Sequence, residues 1–251
     1  MESIPDPDPR AAQDATTSGA ARFVLGGTEF WLDPERAVWW PGERTLVVAD
    51  LHLGRPPVDQ NDVRAAVASA TSDLDRLDRL VTRYGATRTV VLGDLRHAAA
   101  PHLRRTDDVL REWSLARPTL VLIRGNQDEA AGDPPRDWNI RTEDQGWSLG
   151  GLRLYHHPPE ARAIDPSVFW LAGHLHPGSR RDAASSGPER SRRDSEGQVA
   201  PSFLSEGHGL VLPAFGSGTR AHPPRARRDQ RLLPIRDGRV LVNPTCRGRS
   251  S

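Results

Sequence analysis

Residues 119–128 read TLVLIRGNQD. The run 120–123 is short, wholly apolar and closed by a glycine, as expected of a strand buried on both faces, and the polar residues that end it sit where such a strand meets solvent. The same form recurs upstream as TLVVADLH at 45–52 and TVVLGD at 89–94. Between the first two runs, Val63, Val67, Ala70, Leu74, Leu77, Val81 and Tyr84 alternate steps of four and three, which predicts an amphipathic helix over 61–84 capped by Gly85. Before the third, Leu103, Thr106, Leu110 and Trp113 share one face of a second predicted helix over 101–117 that Pro118 ends. Strand, helix, strand, helix, strand is the order of an α/β fold, in which ligands bind beyond the carboxyl ends of the strands.

Upstream, 23–44 breaks into β-prone runs at Gly-Gly, Asp-Pro and Pro-Gly, the pattern of an antiparallel meander leading into the strand at 45–49. Further short apolar strands are predicted at 152–155, 168–172 and 210–212, with two more around Asp237-Gly238. What ends the runs is the informative part: Asp50 and His52, Asp94 and His97, Asn126 and Asp128, His156 and His157, His174 and His176. Residues 1–22 are Pro-rich and acidic without apolar periodicity, and are expected to form a disordered tail. The folded domain is expected over 23–245, with a flexible insertion at about 178–205, and 246–251 as a C-terminal tail. The insertion is rich in Ser, Arg, Gly and Asp; a surface loop is the expectation, and an Arg-rich nucleic-acid arm the alternative.

Composition narrows the chemistry. The chain has 251 residues, 34 basic and 33 acidic, for a net charge of +1, so no global field draws it to nucleic acid. It contains no lysine, which excludes a Walker-type phosphate loop and Schiff-base catalysis. The single cysteine, Cys246, excludes an intramolecular disulfide and a multi-thiolate metal site, and a reducing cytoplasm is the expected compartment. No run approaches the ~20 apolar residues that span a bilayer, so no membrane partner is expected.

An Asp/Asn/His rim without thiolates suits a pair of first-row divalent ions. Two metals ~3.5–4 Å apart need a bridging carboxylate, which Asp94 can supply. Asp50, His52 and His176 complete one shell, and Asn126, His156 and His174 the other. Such a pair activates water for in-line attack on phosphorus and stabilises the charge that develops. A lone D-x-H or G-D arises by chance in many chains, whereas an ordered series of five such pieces, each after a predicted strand, does not.

The set ADLHLG, LGDLRH, RGNQD, YHHPP and AGHLHP, spread over about 23–215, resembles the calcineurin-like metallophosphoesterases. The segments WWPGERTLVVADLHLG and LVLPAFG, with the His-x-Pro element at His156, are similar to the ligase-associated DNA damage response endonuclease/phosphoesterase subfamily. The resemblance implies a four-layer αββα sandwich with a dinuclear metal site at the C-terminal ends of the strands. It assigns the metals to Asp50, His52, Asp94, Asn126, His156, His174 and His176. It also implies a phosphodiester substrate, in DNA or a nucleotide, and as partners a DNA ligase and a DEXH helicase-like protein. Manganese is the first expectation for both ions, with iron, zinc or nickel as alternatives. Arg55 falls where the subfamily carries a basic residue that can clamp a phosphate oxygen. His97, Gln127 and Asp128 are the catalytic candidates, and His157 is either a neighbour of the ligands or an exposed residue.

One departure bears on activity. Gln127 stands where the family has the histidine of G-N-H-D, a residue that donates a proton to the leaving oxygen or contacts the phosphate. Glutamine donates a neutral hydrogen bond but has no titratable proton to deliver. General-acid help is worth ~10²–10⁴ in rate, so a slowed enzyme is expected, with an intact metal set. The expected activity is a metal-dependent phosphodiesterase, a DNA endonuclease or phosphoesterase in repair. The alternatives are a small-nucleotide phosphoesterase and a catalytically weakened, metal-bound scaffold subunit.

Overall fold

A computed structural model describes residues 18–55, 62–98, 103–160, 164–180, 199–225, 227 and 229–242. The first half of the chain contributes β1 (Ala21–Leu25), β2 (Thr28–Asp33), β3 (Ala37–Trp40), β4 (Thr45–Val48), α1 (Val63–Tyr84), β5 (Arg88–Leu92), α2 (Leu103–Leu115), β6 (Leu120–Ile123), α3 (Asn126–Ala131) and β7 (Ile140–Glu143). The second half adds β8 (Trp147–Leu149), β9 (Leu152–Leu154), β10 (Trp170–Ala172), β11 (Gly178–Arg180), β12 (Val199–Glu206), β13 (Gly209–Val211), β14 (Gln230–Arg236) and β15 (Arg239–Val240).

These strands form two sheets. The first runs β1 to β7 in sequence order, antiparallel as far as β4 and parallel from β4 to β7. Because β4, β5 and β6 follow one another without reversal, right-handed crossovers place α1 and α2 on the same face. That face is sealed by Leu74, Leu77 and Leu80 of α1 and Leu110 of α2 against Leu46, Val48, Val91 and Leu122. The opposite face cannot be covered by helices from these crossovers and is covered by the second sheet instead, ordered β15-β14-β12-β13-β10-β9-β8 with β11 paired to β12. Val47, Val90, Leu92 and Val121 pack there against Leu154, Leu171, Phe203 and Leu210. Two large sheets packed this way are consistent with a sandwich. On the outer face of the second sheet, Trp170, Leu204 and Val211 are met by Tyr155, Ile164 and Leu232, and no helix among the described residues covers them.

Both predicted helices form, with adjustments at their ends. Asp62 caps α1, its side chain accepting from Ala65 N at 2.9 Å, and Gly85 ends it in the left-handed region at φ 58°. Val63, expected in the buried stripe, is exposed, while Ala66, Ser69 and Asp73 join the buried face. The first two turns therefore bury a face rotated from the one the apolar pattern indicates. The expected tail is too long at its C-terminal end: β1 begins at Ala21 and pairs with β2 from Ala21↔Leu32 to Leu25↔Thr28. The expected insertion is shorter than 178–205, because β11 and β12 pair within it, Gly178↔Pro201 to Arg180↔Val199. Ala200, Ser202, Phe203 and Leu204 supply the buried side chains there. The stretch 181–198 and the expected tails at 1–17 and 246–251 lie outside the described residues. Asp237 and Gly238, both at positive φ, make the predicted turn between β14 and β15. No helix among the described residues is long and apolar enough to cross a membrane.

Candidate metal centre

In the second sheet β9, β10 and β13 run parallel, and its carboxyl ends meet those of β4, β5 and β6 at one rim. Hydrogen bonds between the two halves fix the meeting. The His174 amide donates to Asp50 Oδ2 at 2.8 Å, His156 Nδ1 to the Leu92 carbonyl at 2.9 Å, and the Phe215 amide to the Ala49 carbonyl at 2.7 Å. His156 reaches Leu92 only because residue 93 is glycine, at φ 77°: a Cβ there would lie 2.2 Å from the imidazole. A Cβ at Gly125 would similarly lie 2.4 Å from Asp94 Oδ1. Here the glycines of G-D and G-N make room for the side chains that pass over them.

Every member of the sequence series is brought to this rim, although not all face it. Asp50, His52, Asp94, His174 and His176 account for five of the nine non-glycine residues with positive φ among the described residues. Such conformations cost ~1–3 kcal/mol each and persist where the surroundings hold them. The turns thus expend stability to aim side chains inward. His52 Nε2 and His176 Nε2 lie 3.3 Å apart, with Asp50 Oδ1 3.5 Å from His176 Nε2. On the other side, His156 Nε2 lies 3.1 Å from His174 Nδ1 and 3.1 Å from Asn126 Oδ1. Asp94 stands between the groups, Oδ1 3.4 Å from His156 Nε2 and Oδ2 3.7 Å from His52 Nε2.

One of these contacts joins acceptor to acceptor. In the tautomer that gives its Nδ1 proton to Leu92, His156 presents a lone pair at Nε2 to the Asn126 carbonyl oxygen. Burial lowers His52 to about 3 and His174 to about 4, so neither carries a positive charge at neutral pH. Asp50 Oδ1 and His52 Nδ1 are buried without a hydrogen-bond partner. A cation is what such a donor set fits. Among the described residues, three overlapping groups have ligand atoms within 4.8 Å of one another: Asp50, His52 and His176; Asp50, Asp94 and His156; and His156, His157 and His174.

The remaining candidates divide. The Gln127 amide donates to Asp94 Oδ1 at 2.9 Å, so its backbone orients the central carboxylate. His97 packs edge-on to His52 at 5.4 Å, and burial and the charge of Arg55 hold it below the usual imidazole range. Arg55 is half-buried and acts on both His52 and His97. The His157 ring lies 4.0 Å from that of His174, tilted by 49°, and is held by Gln145. Asp128, a catalytic candidate in the sequence, faces inward instead. It is fully buried and accepts from the Gly125 amide at 3.0 Å and the Arg96 amide at 3.2 Å, which ties the two turns together.

Sequence reasoning missed a support behind Asp50. The Gly216 amide donates to the Asp50 carbonyl at 3.1 Å, and Ser217 is held by Asp73 of α1 through its amide at 2.9 Å and its hydroxyl at 3.0 Å. Arg76 bonds both Asp73 and the Phe215 carbonyl. A carboxylate at 73, amid the apolar stripe of α1, was the available signal, since a buried charge needs partners.

The chain is similar to a solved structure, the nuclease MPE of Pseudomonas putida, at 29% identity and a TM-score of 0.71, over 88% of this chain and 98% of that one. No family model and no curated protein matches it. The likeness is consistent with the ligase-associated metallophosphoesterase type of nuclease that the motifs resemble, and it supports a nuclease or phosphoesterase function.

Proposed function

We propose that this chain is a divalent-metal phosphodiesterase that cleaves DNA during repair, and that Asp94, between the two ligand groups, would help to hold a pair of ions there. The observation that carries the proposal is the divided Asp94 carboxylate, set between two pairs of facing imidazole nitrogens. Asp50, His52 and His176 would hold one ion, Asn126, His156 and His174 the other. A bound pair lowers the pKa of water and neutralises charge on a phosphoryl group. Of the chain's own residues, Arg55 offers a planar cation to a non-bridging phosphate oxygen. Gln127 offers a side-chain amide N–H to the same group while its backbone holds Asp94. Neither delivers a proton, so the leaving oxygen departs with less help than a histidine at 127 would give.

The sandwich itself is proposed to be the metallophosphoesterase αββα form, with its fourth layer reduced to loops over Trp170 and Leu204. A DNA ligase and a DEXH helicase-like protein are the proposed partners, manganese the proposed metal and the cytoplasm the proposed compartment. Incubating the purified protein with Mn²⁺, Zn²⁺, Ni²⁺ or Fe²⁺ and with single-stranded DNA, nicked duplex, a mononucleotide or an aryl phosphodiester tests the reading. Cleavage of DNA in at least one metal supports it. Cleavage confined to mononucleotides would make the chain a nucleotide phosphoesterase, and DNA binding without turnover of any substrate would make it a scaffold.

A further inference from the structure

Asp73 stands in the buried stripe of α1, between Ala70 and Leu77, where an aliphatic side chain would continue the pattern, and it is only 4% exposed. A buried ion pair adds little net stability over apolar packing, whereas removing one of its partners is costly. The reason for a carboxylate at 73 therefore lies in what it holds. Its Oδ2 accepts from the Ser217 amide at 2.9 Å and from the Ser217 hydroxyl at 3.0 Å, and its Oδ1 accepts from Arg76 at 3.0 Å. Arg76 in turn donates to the Phe215 carbonyl and lies 3.9 Å over the Phe215 ring. Arg36 adds a bond to the Ala214 carbonyl at 3.2 Å, and the Ser69 hydroxyl lies 2.8 Å from that of Ser217. All of these bonds converge on the segment 214–217.

That segment backs the first ligand turn. The Phe215 amide donates to the Ala49 carbonyl at 2.7 Å and the Gly216 amide to the Asp50 carbonyl at 3.1 Å. The approach is so close that a Cβ on Gly216 would lie 2.0 Å from the Leu51 carbonyl oxygen. Asp50 and His52 sit at φ 54° and 49°, a conformation that a non-glycine residue keeps only while its surroundings impose it. Two backbone bonds impose it on Asp50: its amide donates to the Gly93 carbonyl at 3.1 Å, and its carbonyl accepts from Gly216. Release of 214–217 removes the second and lets the Asp50 carboxylate turn away from His52 and His176. We infer that Asp73 is a positioning residue for the metal centre, acting through Ser217 and Gly216 on the Asp50 turn. The inference rests on the two-ion reading and adds that the ions depend on α1 unequally. The braced carbonyls are those of Ala49 and Asp50, so the ion held by Asp50, His52 and His176 should weaken before the one held by Asn126, His156 and His174.

Mn²⁺ titration of chelator-stripped protein by calorimetry, at neutral pH and well below the Tm of every variant, separates this role from a merely structural one. Wild type is expected to bind two ions. In Asp73→Asn one of them should bind ~10–100-fold more weakly, the usual effect of removing a group that orients a metal ligand, and the other should change less than ~3-fold. Tyr84→Phe breaks the bond from the C-terminal end of α1 to Asp33 and controls for lost stability; it should leave both affinities at their wild-type values. Should Asp73→Asn fail to fold, Ser217→Ala, which keeps the carboxylate and drops one hydroxyl, should show the same one-sided loss at ~3-fold or more. Unchanged binding, an equal loss at both ions, or the same one-sided loss in Tyr84→Phe overturns the inference and leaves the two-ion reading intact. Wild type that binds fewer than two ions ends that reading, and hydrogen exchange then decides the brace alone. Asp50 and His52 amides that exchange at least ~10-fold faster in Asp73→Asn than in Tyr84→Phe support it, and equal exchange overturns it.

Discussion

The two carboxylate oxygens of Asp94 face different histidines, Oδ1 toward His156 at 3.4 Å and Oδ2 toward His52 at 3.7 Å. A single side chain therefore links the half of the site built on β4 to the half that includes β9, and the Gln127 amide keeps it turned that way.

Asp94→Asn should lower metal content, because a neutral amide cannot offset charge on two ions, while the fold persists through the unchanged Gly93 and Gly125 packing. Elemental analysis should give less bound metal than wild type with a near-wild-type circular dichroism spectrum. Full occupancy in Asp94→Asn would falsify the bridging role.

Metal affinity should depend on pH through the same residue. Burial raises the Asp94 carboxyl to about 6; Asp50 and Asp128 push it further up, and His156 and the Gln127 amide oppose the rise. The ion needs the charged form, so the Asp94 proton should make affinity fall below about pH 6 by up to ~10-fold per unit. His52 at about 3 and His174 at about 4 remain neutral through that window and add no slope. Mn²⁺ titrations between pH 7.5 and 5 measure this, and a flat profile in wild type contradicts it.

Gln127→His restores the missing acid. An aryl diester expels a stable phenolate and gains little, whereas DNA expels a sugar alkoxide and should be cleaved roughly ten-fold faster or more, within the general-acid range. The backbone bond to Asp94 survives the change, and metal content measured beside the rates excludes a disturbed Asn126. Equal acceleration of both substrates, or of neither, would remove Gln127 from the place of the acid.

Asp128→Ala should destabilise the protein through its backbone bonds, since the Gly125 and Arg96 amides lose their acceptor in a fully buried site. Unsatisfied buried donors cost ~1–3 kcal/mol, and a domain near this size loses ~2–4 °C per kcal/mol, so a fall in Tm of several degrees is expected. A Tm within a degree of wild type is the contrary result.

The cross-strand pairing Arg180↔Val199 brings the two ends of 181–198 side by side. Replacing that stretch with a short Gly-containing turn should leave Tm nearly unchanged, because a hairpin needs only two to five connecting residues. A large fall in Tm would mean that the stretch packs on the domain.

The parallel strands and their helices were legible because their signals are local: apolar runs of strand length, a stripe on α1, and a left-handed cap at Gly85. The site was legible for a related reason, since each polar pair follows a strand end and strand ends converge. What the sequence could not convey depends on contacts across the fold. Asp128 carries the same chemistry as Asp94, and only the Gly125 and Arg96 amides around it show that it faces inward. Val63 continues the apolar period of α1, yet it precedes the turns that meet the sheet and stays exposed. β1 begins at Ala21, inside the expected tail, and β12 begins at Val199, inside the expected insertion, and pairing with β2 and β14 gives these residues their structure.

The most direct test of the account is cleavage of a single-stranded oligonucleotide by chelator-stripped wild-type protein, with and without added Mn²⁺, beside Asp94→Asn prepared identically. Cleavage is expected only in wild type with the metal restored. Cleavage in the presence of chelator, or wild-type cleavage by Asp94→Asn, contradicts it.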